Sequence, residues 1–164
     1  MNPEKFDLFL ANARLLRDCF GIVPLLYGSL GLEVRTGADL GADDIDLLIP
    51  NVFLTRRWQE FRRILETHGY RLTDEKEHTF VRDGVEYAYA DLEDLEPFAE
   101  ISVSEIPRKT VRGTDFLLLS LEQYLRVYES SVRDGYRVNV RQKKDGEKIQ
   151  FIQSKLDETE QEYV

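Results

Sequence analysis

The sequence predicts a single mixed α/β domain, residues 1–164, whose C-terminal third is mainly helical. Its length of 164 residues suits one domain with a real core. Short apolar segments of strand character alternate with segments of helical periodicity, which is typical of helices packed on a sheet. Beyond residue 119 only the helical periodicity remains, so we expect a core at about 1–119 and a helical part at about 120–158.

The N-terminal half is predicted to alternate helices and strands. Asn2 and Pro3 suit the N-cap and first position of a helix that ends at Gly21, because asparagine accepts a backbone N–H and proline needs no acceptor there. The following elements are a strand at 22–27, a helix at 29–37, a strand at 45–50, a helix at 53–68 and a short strand at 70–73. Pro24 restricts the first strand to a sheet edge or an early ladder position.

The C-terminal half is predicted to begin with a hairpin. Asp83-Gly84, a pair preferred in type I′ turns, separates two alternating apolar segments within 78–91. Ser120 and Gln123 form a capping box for a helix that ends at Gly135. Three further elements are expected: a short helix or turn at 92–101, one or two strands at 109–119 and a last helix from about 145 to 156.

The composition indicates a globular protein and excludes several classes. No apolar run reaches the length of a membrane span and the N-terminus lacks a signal-peptide pattern, so we expect no membrane partner and a cytoplasmic location. Cys19 is the only cysteine, which excludes an internal disulfide and suits a reducing compartment. The formal charge of −9 argues against nucleic acid as a partner, whereas a single nucleotide with a divalent cation stays compatible with it.

The stretch LYGSLGLEVRTGADLGADDIDLLIP, residues 26–50, combines two features. Gly28 and Ser29 follow a predicted strand and open a predicted helix, where glycine permits close approach of a ligand and free helix N–H groups bind phosphate. Asp44 and Asp46 lie in a second apolar segment. Residues i and i+2 of a strand point to the same face, so the two carboxylates are expected side by side, roughly 7 Å apart.

Two neighbouring carboxylates in an apolar strand repel each other unless a cation binds them. An isolated Asp-x-Asp is more often a solvated strand edge, but here a Gly-Ser turn precedes it and both strands are apolar. Mg²⁺ prefers a few carboxylates together with phosphate oxygens. The pattern therefore predicts a phosphate site facing a metal site, as two-metal chemistry needs to align a nucleophile with an α-phosphate and to stabilise the leaving pyrophosphate.

This motif, about a sixth of the chain, resembles the signature of the polymerase-β-like nucleotidyltransferase superfamily, in particular its small bacterial and antibiotic-modifying members. The resemblance implies a nucleotidyltransferase-like mixed sheet flanked by helices. It also implies Mg²⁺ or Mn²⁺ as cofactor and ATP or another nucleoside triphosphate as donor. By the same resemblance Gly28 and Ser29 would hold the triphosphate, and Asp44 and Asp46 would hold the metal and act in catalysis.

Active members of this superfamily carry a third carboxylate on the neighbouring strand, where it often helps to deprotonate the acceptor. Within VEYAYAD, residues 85–91, Glu86 shares a face with two alanines that would leave room above a cleft. Glu86 is therefore the first choice, and Asp91 on the opposite face is the alternative. The fourteen residues between Ser29 and Asp44 are more than the family usually has, which predicts an inserted loop.

The function expected from these features is transfer of a nucleoside monophosphate to a hydroxyl group of a small molecule or a protein. Lys144, in a basic segment with Lys143 and Lys148, is expected to contact phosphate, although a solvated helix start would also explain these lysines. The alternative function is a catalytically degenerate protein of the same fold that binds a nucleotide or a partner protein. Three converging carboxylates would favour the enzyme, and a homodimer is an open expectation in both cases.

Overall fold

The computed structural model describes residues 2–133 and 139–162, with the side chains of residues 2–133 and 144–159. The strands are β1 (Leu25–Tyr27), β2 (Ile45–Ile49), β3 (Arg71–Asp74), β4 (Thr79–Arg82), β5 (Val85–Asp91), β6 (Arg108–Val111) and β7 (Thr114–Leu117). The helices are α1 (Pro3–Phe20), α2 (Gly28–Thr36), α3 (Trp58–Thr67), α4 (Leu95–Ala99), α5 (Leu121–Arg133) and α6 (Asn139–Glu162).

The seven strands form one mixed sheet in the order β3-β4-β5-β2-β1-β7-β6. β2 lies near the centre, antiparallel to β1 and parallel to β5. β1 in turn pairs in parallel with β7. This mixed sheet flanked by helices confirms the predicted fold class, and it brings the two motif strands β1 and β2 side by side.

Two apolar clusters cover the two faces of the sheet. The first joins α1 and α3 to one face, where the buried side chains of β2 are Ile45, Leu47 and Ile49. The second joins α4, α5 and α6 to the opposite face, where β2 contributes Leu48. Strand residues alternate between faces, so Asp46 lies on the same side as Leu48. The acidic side of β2 therefore faces the C-terminal helices.

The local signals for turns and caps are confirmed. The β4–β5 hairpin turns at Asp83 and Gly84, which both have positive φ angles, 51° and 76°, as a type I′ turn requires. Ser120 and Gln123 exchange the two hydrogen bonds of a capping box at the start of α5. The predicted end of that helix at Gly135 lies outside the described residues.

Three element boundaries differ from the sequence-based prediction. β1 begins after Pro24, whose missing N–H excludes it from the ladder, although its carbonyl accepts a hydrogen bond from Leu117. α3 begins at Trp58 and not at residue 53, because Thr55 donates to the carbonyl of Asn51 and stabilises a turn there. α6 extends beyond the predicted 145–156, since its packing on α5 outweighs Gly146 as a helix breaker. None of the described helices is long and apolar enough to cross a membrane.

Candidate active site

Gly28 forms the turn between β1 and α2. Its φ angle is +65°, in the left-handed region that favours glycine. A Cβ atom at this position would lie 2.4 Å from Oδ2 of Asp46, so a side chain here would collide with that carboxylate. The Gly-Ser turn and the Asp-x-Asp segment, eighteen positions apart in sequence, are thus in direct proximity at one end of the sheet.

The three acidic residues predicted for the site lie at the same end of β2 and β5. Asp46 pairs with Tyr27 on one side and with Ala88 on the other. Glu86, two residues before Ala88, therefore shares the face of Asp46. Asp44 directly precedes β2, and its carboxylate lies close enough to Glu86 to interact with it electrostatically. Desolvation first, and then the negative charge of Asp44, raise the pKa of the Glu86 carboxyl above its usual value.

Asp91, the alternative third carboxylate, lies at the other end of β5, opposite Ile49. Its two oxygens accept hydrogen bonds from the Asn51 side chain at 2.7 Å and from the backbone N–H of Glu93 at 2.8 Å. Asp91 therefore caps the turn after β5, away from the site. Of the two candidates, only Glu86 lies beside the aspartates.

The sheet face beside Glu86 is open. Glu86 and Ala90 are exposed and Ala88 is half-buried, so small side chains leave space there, as the alanine pattern predicted. Within residues 2–133 and 144–159 no three acidic, histidine or cysteine side chains form a ready metal cage. A pair of carboxylates beside a glycine turn does suit Mg²⁺, because this ion keeps water and takes phosphate oxygens as further ligands.

A lysine from the last helix reaches the Gly-Ser turn. Nζ of Lys148, on α6, donates a hydrogen bond to the Ser29 hydroxyl at 2.8 Å and lies 5.2 Å from the ring centroid of Tyr128. Lys144, which the sequence analysis selected from the same basic segment, is exposed one helical turn earlier. Of these two lysines, Lys148 is thus the one at the turn. Sequence periodicity alone does not reveal how α6 is rotated against the core.

Tyr124 of α5 holds the other side of the same turn. Its hydroxyl donates to the carbonyl of Gly28 at 3.2 Å, and burial raises the pKa of this phenol well above 10, so it stays protonated. A Cβ at Gly31 would lie 2.0 Å from that hydroxyl, which explains a glycine inside α2. The sequence analysis did not assign Tyr124 to the site. The interior helix glycine was the available signal of close approach.

This chain is similar to known proteins in sequence and in fold. The chain is 37% identical over 147 residues to uncharacterized protein YnaI of Bacillus subtilis (strain 168), and the match covers 90% of this chain and 94% of that protein. No protein-family model matches the chain.

Two solved structures share the architecture. An antigenic nucleotidyltransferase-like protein from Paracoccidioides brasiliensis superposes with a TM-score of 0.59 and 19% identity, over 89% of this chain and 73% of that one. A candidate nucleotidyltransferase from Thermotoga maritima superposes with a TM-score of 0.50 and 18% identity, over 96% of each chain.

Proposed function

The chain belongs to the family of Bacillus subtilis YnaI and has the nucleotidyltransferase fold, and from this premise we propose that it is a magnesium-dependent nucleotidyltransferase. The observation that carries the proposal is the contact between the Gly28 turn and Asp46 on the sheet face that also bears Glu86. A phosphate-binding turn directly beside a group of carboxylates is the arrangement that chemistry at a triphosphate needs.

The proposed roles follow from the position of each group. Asp44 and Asp46 would hold Mg²⁺ or Mn²⁺, which when bound neutralises charge on the triphosphate and on the leaving pyrophosphate. The backbone N–H groups at the start of α2, which Gly28 opens, would receive phosphate oxygens. Lys148, already hydrogen bonded to Ser29, would contribute the positive charge that the sequence analysis assigned to Lys144.

Glu86 is the proposed general base. An acceptor hydroxyl lying over the open face at Ala88 and Ala90 would attack the α-phosphorus of the donor. The bond from acceptor oxygen to phosphorus forms, the bond from phosphorus to the bridging oxygen of pyrophosphate breaks, and the acceptor proton passes to the carboxylate of Glu86. A raised pKa makes this carboxylate a better proton acceptor than an ordinary glutamate.

The alternative, a nucleotide-binding or protein-binding module without catalysis, has one observation in its favour. Within the described side chains no three acidic groups are arranged as a metal cage. The two functions differ in turnover: both would bind the nucleotide, whereas only the enzyme would release pyrophosphate and label an acceptor.

The proposal is tested by calorimetric titration with Mg-ATP and the other triphosphates, followed by transfer assays with α-labelled nucleotide on hydroxyl-bearing small molecules and proteins. The variant Asp44→Asn with Asp46→Asn should lose Mg²⁺-dependent binding while it keeps or raises the melting temperature, because two repelling charges are removed. Asp43→Asn, an exposed neighbour, is the matched control and should bind normally. Binding that is independent of Mg²⁺ and of the Asp pair would contradict the proposal.

A further inference from the structure

Glu33 of α2 is a charged residue that is wholly buried, with 0% of its surface exposed. Its carboxylate accepts three backbone N–H groups: Oε1 from Asn2 at 3.1 Å, and Oε2 from Leu40 at 2.9 Å and from Ala42 at 3.1 Å. A buried carboxylate is costly unless such donors compensate it, and hydrogen bonds to a charged acceptor are stronger than neutral ones. These three donors therefore account for an acid in the core.

Two of the three donors belong to the segment between α2 and β2. Residues 37–44 contain neither helix nor strand, and this segment is the inserted loop that the sequence predicted. Within the loop, Ala38 donates to the Thr36 hydroxyl and Gly41 to the side chain of Asp39. Glu33 thus joins this loop to α2 by hydrogen bonds, while the side chains of Leu40 and Ala42 pack against the two apolar clusters.

The loop ends at Asp44, and Ala42, the last residue held by Glu33, lies two positions before it. Glu33 itself lies four residues after Ser29, just over one turn along the helix that the phosphate turn opens. One helix therefore begins at the proposed phosphate site and, through Glu33, holds the backbone that leads to the proposed metal ligand.

We propose that Glu33 is a positioning residue that fixes Asp44 relative to the Gly28–Ser29 turn and thereby sets the metal affinity of the site. This inference rests on the proposed function, in that it assigns Asp44 to a metal. The carboxylate of Glu33 fixes the backbone of this long loop although the loop contains no helix or strand. A carboxylate can accept hydrogen bonds from several N–H groups at once, whereas an apolar side chain accepts none.

The test compares Mn²⁺ affinity, measured by electron paramagnetic resonance, with amide hydrogen exchange in the same full-length variants. In Glu33→Gln the exchange of Leu40 and Ala42 should accelerate, because a neutral amide oxygen is a weaker acceptor than the charged carboxylate oxygen that both N–H groups share. The Mn²⁺ affinity should fall roughly tenfold or more, as is usual when a group that orients a metal ligand is lost.

Two control variants distinguish the positioning of Asp44 from a general loss of stability and from the loss of one negative charge. Leu10→Ala, in the core on the opposite sheet face, should lower the melting temperature without changing Mn²⁺ affinity. Asp43→Asn removes one negative charge next to Asp44 but leaves the Glu33 hydrogen bonds in place, and should bind Mn²⁺ nearly as the wild type does.

Should Glu33→Gln fail to fold, the wild type alone provides a second measurement. Since coupling between two equilibria is reciprocal, saturating Mg²⁺ should slow the exchange of the Leu40 and Ala42 amides. Unchanged exchange, or a Glu33→Gln variant with a loosened loop and wild-type Mn²⁺ affinity, overturns the positioning role alone. A wild-type protein that binds no Mn²⁺ overturns the proposed function itself, and the positioning role with it.

Discussion

At Gly28, backbone conformation and available space each exclude a side chain. The sequence analysis explained this glycine by the approach of a triphosphate. The structure adds a reason within the protein, because a Cβ there would lie 2.4 Å from Oδ2 of Asp46. A substitution at Gly28 should therefore affect folding as well as ligand binding, so both must be measured on the same variant.

Gly21 provides a matched control for that substitution. It has nearly the same φ angle, +68°, but a Cβ there would meet nothing within 4 Å. Both Gly28→Ala and Gly21→Ala should lower the free energy of unfolding by about 1–2 kcal/mol for the left-handed backbone. Gly28→Ala alone should lose stability beyond this amount, as measured by urea denaturation. It alone should also weaken Mg-ATP binding, as measured by calorimetry. Equal stability and equal binding of the two variants would contradict the contact with Asp46.

At the scale of elements, α5 holds the phosphate turn through Tyr124. Tyr124→Phe removes the donor to the Gly28 carbonyl and should cost about 1–3 kcal/mol, because a partly buried acceptor is left without its bond. It should also weaken nucleotide binding, since the Gly28 turn loses the hydrogen bond that fixes its carbonyl group.

Tyr89→Phe is the control for Tyr124→Phe, because it deletes a hydroxyl of equal burial. Within the described side chains that hydroxyl has no hydrogen-bond partner. Its removal should leave thermal unfolding and nucleotide binding nearly unchanged. If both tyrosine variants bound the nucleotide equally well, the hydrogen bond from Tyr124 to the turn would not contribute to nucleotide binding.

The β6–β7 hairpin supplies a pH-dependent contribution to stability. Asp115 accepts hydrogen bonds from Thr110 and Arg108, which lower the pKa of its carboxyl below the ordinary 3.8. Because the pKa of Asp115 is lower in the folded than in the unfolded protein, its charge stabilises the fold at any pH above the ordinary pKa of aspartate. This contribution is lost as pH falls through the lowered pKa.

Asp115→Asn should therefore reduce the melting temperature slightly near neutral pH. Its difference from the wild type should shrink below the ordinary pKa of aspartate and disappear as pH falls through the lowered pKa of Asp115. Asp94→Asn, which also removes one exposed negative charge, is the control for the change in net charge. A difference that stays constant down to strongly acidic pH would show that the hairpin does not depend on this charge.

At the scale of the whole molecule, the C-terminal helices close the second apolar cluster over the sheet face that carries the acidic residues. Ile152 of α6 is fully buried in this cluster, whereas Trp58, the only tryptophan, lies in the cluster on the opposite face. We predict that both clusters unfold together, as expected if 1–164 is one domain.

Ile152→Ala should then lower the free energy of unfolding by about 2–5 kcal/mol, and Trp58 fluorescence should report it although the two residues lie on different faces. Circular dichroism and fluorescence should give the same urea midpoint. Two separate transitions would mean that the helical part after residue 119 is an independent unit.

The sequence by itself determined the features that depend on near neighbours in the chain. The Asp83-Gly84 turn, the Ser120–Gln123 capping box and the alternation of β2 follow from backbone preferences and from periodicity, which act over a few residues. The mixed α/β class follows from the same periodicity, whereas the pairing of the Gly-Ser turn with the Asp-x-Asp strand was expected from the order of the two motifs and from the family resemblance.

Only the tertiary structure decided which distant groups meet. It brought Lys148 and not Lys144 to Ser29, separated Asp91 from Glu86 along β5, and placed the Tyr124 hydroxyl on the Gly28 carbonyl. Such contacts depend on the rotation of packed helices and on strand register. These are set by how whole apolar faces fit together, so no local pattern around either partner specifies them.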